Sequence, residues 1–432
     1  MRVLIAAAAL AIAGGGAIAV SGQETQTRNP ERRGAVGASY REAGRITGGS
    51  LVDWTDDRPQ LWESRSERPI LLFTDRTKAA TGRTLAIFAN EIIVTLSSSD
   101  ATKLAKNRQT KKFAGAWEIA DATQSGATML VRYLGPERLT AQQVYDRFRQ
   151  ETGLTPISAE PNQIGTLDSA QDRQYDRLLQ PWAHRSTGRG NTKVDADIDG
   201  NEALARLPFA IPPGPLFRYP SIMVIDTGID ETHPALAGTL WTNAQEVPGD
   251  GRDNDGNGYR DDVNGWNFAD GNALLFDPVG HGTHVAGIIA ARPSVNSAAI
   301  RGGAPGSTII VAKVSPSPKP LEVIKALEYA RAKEASVVSM SLSFAAHSPA
   351  MTAALLELES AGTIVVASAG NDGRDVTVTP VYPCMNATVV CVAATDENDR
   401  LAPFSNYGAS FGPMGKAGVA IAAPGVGIHA TI

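Results

Sequence analysis

The sequence predicts an α/β protein in which a parallel sheet is flanked by helices and preceded by a small α+β domain. Three observations lead there. Past about residue 217, short apolar runs alternate with helical patterns, an order that requires crossover connections and a parallel sheet. Between about residues 85 and 165, strand and helix signals follow one another in a more polar stretch. Apolar residues make up 43% of the 432-residue chain and charged residues 20%, which is enough to build a core in two or three domains.

The opening stretch, MRVLIAAAALAIAGGGAIAVSG, combines Arg2, an apolar run and a small-residue site at Ala17-Ile18-Ala19. That is the pattern of a secretory signal over residues 1–22, and it predicts a secreted or periplasmic protein. A membrane anchor fits less well, because the run is rich in Ala, broken by Gly14, Gly15 and Gly16, and short of about 20 strongly apolar residues. With the signal removed, no membrane association is expected. A net charge of −5 gives no reason to expect nucleic acid either. Export would bring Cys384 and Cys391 into an oxidising compartment and favours a disulfide, the alternative being that Cys391, in the run TVVCVAA, is a small buried core residue.

Residues 23–84 carry scattered Arg, Gly, Ser and Pro and are expected to be a poorly structured lead. In 85–165, NEIIVTLSS and TMLVRYLG read as strands, and DATKLAKN and TAQQVYDRFRQETG as helices. Residues 166–216 read as a linker and the start of a mature region. Beyond them SIMVID, STIIVAKVS, SVVSMSLS and TIVVASAG are strand candidates, with helices at LEVIKALEYARAKEA and AMTAALLELESAG, the latter stopped by Gly362. In such sheets reactive groups collect at the carboxyl ends of the strands, which points to Asp226, Ser341–Ser343 and Asn371.

Each chemical signal is weak alone. Asp226, in VIDTGID, could be a turn cap, and an aspartic-protease reading lacks its second Asp-Thr-Gly or Asp-Ser-Gly. His281 and His284, in GHGTHVAGIIAAR, do not have the i, i+4 spacing and intervening Glu of a zinc-protease helix. Asn371, in SAGNDG, could close a turn or donate to a developing oxyanion. In this order on an alternating α/β pattern, however, the three segments resemble the subtilisin-like serine protease family over most of residues 217–432, a resemblance that extends to DETHPALAG, FSNYG and AAPGVGI.

The resemblance implies a polypeptide substrate and an Asp/His/Ser triad, with no cofactor required for the chemistry. Asp226 would orient His281, His281 would serve as general base and then acid, and Asn371 would supply an oxyanion donor. Substrate would bind along Ser341, Leu342 and Ser343 and at Ala369 and Gly370. The family has glycine after Ser-Leu, whereas this chain has Ser343 and Phe344. The 85–165 unit resembles an inhibitory propeptide, making the chain's own propeptide a partner, with a processing junction between about 162 and 215. In PGDGRDNDGNGYRDDVNGWNF, Asp253, Asp255, Asn257 and Asp261 resemble part of a calcium loop, so a structural calcium ion is expected; the alternative is a hydrophilic surface loop. The family's nucleophile lies in a Gly-Thr-Ser-Met-Ala segment that opens a buried central helix shortly after the stretch that APGVGIHATI resembles. It is expected beyond Ile432, which would leave residues 217–432 an incomplete peptidase domain and the 432-residue chain inactive. An inactive pseudoprotease and a calcium-binding extracellular module are the other readings.

Overall fold

The computed structural model describes residues 60–62, 70–74, 84–105, 112–113, 116–168 apart from 136, 138 and 140, 220–292, and 302–431 apart from 305, 413, 414 and 429. The expected signal at 1–22 and most of the expected lead and linker lie outside the described residues.

The N-terminal unit consists of β1 (Gln60–Trp62), β2 (Ile70–Thr74), β3 (Thr84–Thr95), α1 (Ser98–Ala105), β4 (Lys112–Phe113), β5 (Trp117–Ala122), β6 (Thr128–Tyr133), α2 (Ala141–Thr152) and β7 (Ser158–Gln163). Its sheet runs β1-β2-β3-β6-β5-β4, with β7 also paired to β3. Alternation along the strands sorts the side chains. Ile92 and Val94 of β3, with Val131 of β6 and Trp117 and Ile119 of β5, face one core, which Leu104 of α1 and Val144, Tyr145 and Phe148 of α2 complete. Ile93 and Leu130 turn the other way and meet Leu321 of the second unit. The lead expected to be poorly structured supplies β1 and β2, because the run ILLFT of β2 has an antiparallel partner in β3 (Ile70 opposite Phe88), a non-local pairing that composition does not reveal.

A short β8 (Thr166–Leu167) precedes the second unit, which holds β9 (Ser221–Asp226), β10 (Gly265–Asn267), α3 (His281–Ala290), β11 (Thr308–Lys313), α4 (Pro320–Ala332), β12 (Val337–Met340), β13 (Leu342–Ser343), α5 (Pro349–Ser360), β14 (Ile364–Ser368), β15 (Val389–Thr395), β16 (Ala409–Gly412) and β17 (Gly415–Pro424). The sheet order is β10-β11-β9-β12-β14-β15-β17-β16, parallel except for the β16–β17 edge. Buried on both faces, β9 splits its apolar run: Ile222 and Val224 pack with Val285, Ile288 and Ile289 of α3. Met223 and Ile225 pack with Val323 and Leu327 of α4 and Leu355 and Leu358 of α5. Two-sided burial explains why these strands read as continuous apolar runs.

The two units touch through α4 and α5. Lys325 Nζ lies 3.0 Å from both Asp121 carboxylate oxygens, and Gln163 exchanges two hydrogen bonds with the Ala346 backbone at 3.0 and 3.1 Å. Ser348, which caps α5 by accepting from Met351 N–H, donates its hydroxyl to buried Glu160 at 2.7 Å. Among the described residues no helix is long and apolar enough to cross a membrane.

Candidate active site

Asp226 closes β9 at the carboxyl edge of the sheet, where it is 1% exposed. One of its oxygens, Oδ1, accepts from the Thr227 N–H at 2.7 Å and from His281 Nδ1 at 2.6 Å. His281 is the first residue of α3 and is 2% exposed. The helix starts there because Gly280 takes a left-handed φ of 83° and because Asp277 caps the turn. Asp277 Oδ1 accepts from the Val279 and Gly280 N–H groups, and its Oδ2 accepts from both the N–H and the hydroxyl of Thr283. The two motifs then interlock: Gly282 N–H donates to Thr227 Oγ1 at 3.0 Å, and a Cβ on Gly282 would sit 2.2 Å from the Gly228 carbonyl. Glycine at 282 is therefore what allows α3 to approach β9 closely enough for the pair to form. His284 is buried within α3.

The pair has the polarity that proton transfer needs. With Nδ1–H donated to a carboxylate, the lone pair is on Nε2, which is buried and has no hydrogen-bond partner among the described residues. Burial disfavours charge on the imidazole, yet Asp226, with Asp277 and Asp168 behind it, outweighs that effect and holds the His281 pKa above its ordinary value. A base held this way, next to an open acceptor, can take a proton from a hydroxyl and return it to a leaving amine.

Asn371 is half-buried just beyond β14. Its loop is shaped by Asn406, fully buried in FSNYG, which donates to Ala369 O at 2.9 Å and accepts from the Asp372 and Arg374 N–H groups. At Gly370 the backbone has φ 95°, and a Cβ would meet Asn406 Nδ2 at 2.5 Å. Ser405 is occupied structurally, its Oγ accepting from Ala394 N–H and donating to Asn406 O.

Ser341, Leu342 and Ser343 are buried, and they form an edge to which another strand is already added. Leu167 pairs with Leu342 and Thr166 with Ser343 in antiparallel register. The expected linker from 166 therefore begins as a strand, because β13 offers main-chain groups that residues 166–168 satisfy. The ladder continues through Asp168 N–H to Ser341 O at 2.8 Å.

Of the expected calcium donors, Asp253 and Asp255 converge with Glu246, their ligand atoms lying within 4.8 Å of one another. The other two do not join them. Asp261 spends its carboxylate on the Gly249 and Gly251 N–H groups, and Asn257 donates to Asp255 and Asp262 while its Oδ1 accepts from Tyr259 N–H. Lys333 Nζ sits 2.8 Å from Asp255 and 3.0 Å from Asp262, offsetting part of the charge. Three carboxylates suit a hard cation. Cys384 and Cys391 are joined in a disulfide.

Sequence reasoning did not single out Asp277, Asn406, Glu246 and Ser368. Asp277 and Glu246 act on nearby loop backbone, whereas Asn406 and Ser368, inside FSNYG and SAGNDG, meet partners more than 30 residues away.

Comparison with known proteins points to one family. Residues 218–431 match the subtilase family model. Thermitase of Thermoactinomyces vulgaris is 33% identical over 213 residues, 49% of this chain and 64% of that protein. Subtilisin Savinase of Lederbergia lenta is 34% identical over 213 residues, 49% of this chain and 65% of that protein. The chain thus spans less than two thirds of the length of either relative. Among solved structures, the epidermin leader peptide processing serine protease of Staphylococcus aureus superposes with a TM-score of 0.51 at 20% identity, covering 78% of this chain and 75% of that one. Fervidolysin of Fervidobacterium pennivorans gives 0.50 at 20% identity, covering 78% and 47%. With the fold, the interlocked Asp-Thr-Gly and His-Gly-Thr segments and the family match in agreement, this chain belongs, through residues 218–431, to the subtilase family of subtilisin-like serine proteases.

Proposed function

We propose that the parent enzyme is a secreted or periplasmic serine endopeptidase that hydrolyses peptide bonds through an acyl-enzyme. The observation that carries this reading is the buried Asp226–His281 contact at 2.6 Å, with Nε2 left for a hydroxyl. His281 takes the proton of the attacking serine and passes it to the leaving amine, Asp226 holds the imidazole in the required tautomer, and Asn371 donates to the oxyanion. The polypeptide substrate adds as a strand along Ser341–Ser343, the edge that β8 already uses. Residues 85–165 act as the enzyme's own propeptide, inhibiting it until released.

The nucleophilic serine is assigned to a segment past Ile432, so the 432-residue chain alone is inactive. In support, no described hydroxyl meets His281 Nε2, and Ser405 is engaged elsewhere. Export is supported by the sequence of residues 1–22 and by the Cys384–Cys391 disulfide. A structural calcium ion, held by Glu246, Asp253 and Asp255, completes the reading without entering the chemistry.

The test is to read the coding DNA beyond Ile432 and express the whole frame. A fluorophosphonate probe should label a serine in the full product and leave the 432-residue chain unlabelled. A stop codon with no Gly-Thr-Ser segment before it would favour the second reading, a peptide-binding protein without turnover, which the β8–β13 pairing also supports.

A further inference from the structure

The strand lying along Ser341–Ser343 belongs to this chain, and its side chains indicate what the cleft accepts. Asp168 ends the ladder and is only 6% exposed. Both oxygens of its carboxylate are held: Ser343 Oγ donates to Oδ1 at 2.9 Å and Ser368 Oγ to Oδ2 at 2.6 Å. The two serines are 1% and 4% exposed and come from different strands, β13 and β14, so the pocket is built from two sides. A buried carboxylate is tolerated only where donors meet it, and aligned hydroxyls would have nothing to bond in an apolar side chain.

Three residues earlier the cleft is closed to side chains. Gly165 donates its N–H to Pro318 O at 2.7 Å, and a Cβ at that position would lie 2.5 Å from Phe344 Cε1 and 2.9 Å from the Pro318 carbonyl. Ser343 and Phe344 thus shape the two ends of a four-residue seat for Gly165-Thr166-Leu167-Asp168. The seat also points at the base. Met340 is in register with Ile225, which sets Ser341, the partner of Asp168, beside Asp226, and the Asp168 carboxylate is one of the charges that raise the His281 pKa.

We infer, resting on the peptidase reading above, that this cleft selects peptides with aspartate immediately before the cut bond and glycine three residues earlier, and that the propeptide is released between Asp168 and Ser169. Ser343 and Ser368 determine the acidic preference and Phe344 the preference for glycine. In the cut, the serine oxygen of the parent enzyme bonds to the Asp168 carbonyl carbon while its proton passes to His281 Nε2. The Asp168–Ser169 C–N bond breaks and the proton leaves on the new Ser169 amine. Water then hydrolyses the ester, restoring the serine hydroxyl and leaving Asp168 with a free α-carboxylate.

The experiment uses the full-length enzyme. Its first processing product is read by mass spectrometry, and kcat/KM is compared for fluorogenic Gly-Thr-Leu-Asp, Gly-Thr-Leu-Asn, Gly-Thr-Leu-Phe and Phe-Thr-Leu-Asp amides. The expected results are a first N-terminus at Ser169 and a preference of about tenfold or more for the first peptide over each of the others. S343G and S368A should each narrow the Asp-to-Phe ratio by about tenfold, while S343T, which keeps a hydroxyl, should retain most of it. A first cut elsewhere, or a Phe peptide turned over as fast as the Asp peptide, overturns the inference but not the peptidase reading, since fluorophosphonate labelling reports the activated serine independently of peptide preference. Absence of both labelling and cleavage overturns the two together.

Discussion

His281 Nδ1 lies 2.6 Å from Asp226 Oδ1, and the other Asp226 oxygen accepts no hydrogen bond among the described residues. The carboxylate is committed to one contact with the ring, at the junction of β9 and α3. D226N removes the charge that outweighs burial, so the His281 titration, followed by NMR in the 432-residue chain, should move below the ordinary histidine value. In the enzyme proposed above the same change should lower kcat by about four orders of magnitude, as loss of the aspartate does in Ser-His-Asp enzymes.

The raised His281 pKa sets the pH response. Only the neutral ring can accept a proton, so kcat/KM should climb with pH through a midpoint above the ordinary histidine value of about 6.5. The stability term has the opposite trend. The imidazolium–carboxylate pair contributes fully below the unfolded pKa and fades as pH rises through the folded one. A pH–rate profile flat from about 5 to 8 would be incompatible with His281 as the base.

Glu160 is buried where the two units meet, and burial pushes its carboxyl up to about 8 despite the Ser348 hydroxyl and the Ala350 N–H. A carboxyl raised in the folded protein supports docking below its free value near 4.5 and loses that contribution as pH climbs to about 8. The N-terminal unit should therefore bind progressively more weakly across that window, by a total on the order of 5 kcal/mol. E160Q should flatten the dependence, and titration calorimetry of the separated units from the processed enzyme would show it.

Asp277 bonds to four donors around the start of α3. D277A should destabilise the second unit by about 1–2 kcal/mol, in the range of a lost helix cap. Because His281 is the first residue of that helix, kcat should fall as well. Chemical denaturation and a turnover assay on one preparation separate the two effects.

Calcium bound at Glu246, Asp253 and Asp255 predicts a melting temperature that falls by about 5–10 °C on chelation when calcium had been about 100-fold above Kd. D253N should abolish the difference. A melting temperature unmoved by EDTA would remove the ion from the proposal and leave Lys333, from the end of α4, as the cation paired with Asp255.

Strands buried on both faces, such as β9, β11 and β14, were legible because their apolar runs need no partner to be recognised. By contrast β5 was not, since WEIADA carries only alternate core residues, Trp117 and Ile119, and β17 is mostly Gly and Ala. The same contrast holds in the site. Asp226 and His281 stand inside contiguous motifs that close on each other. The seat for Asp168 depends on hydroxyls 175 and 200 residues away, a proximity that exists only after the sheet has formed.

The β8–β13 pairing joins two segments of one covalent chain, so occupation of the groove is a unimolecular event. A tethered strand presents itself at an effective concentration in the millimolar range, whatever the number of molecules in solution. External peptides therefore compete poorly while residues 168 and 169 stay connected. Once that connection is cut, the same contacts become bimolecular, and dilution alone would begin to empty the cleft.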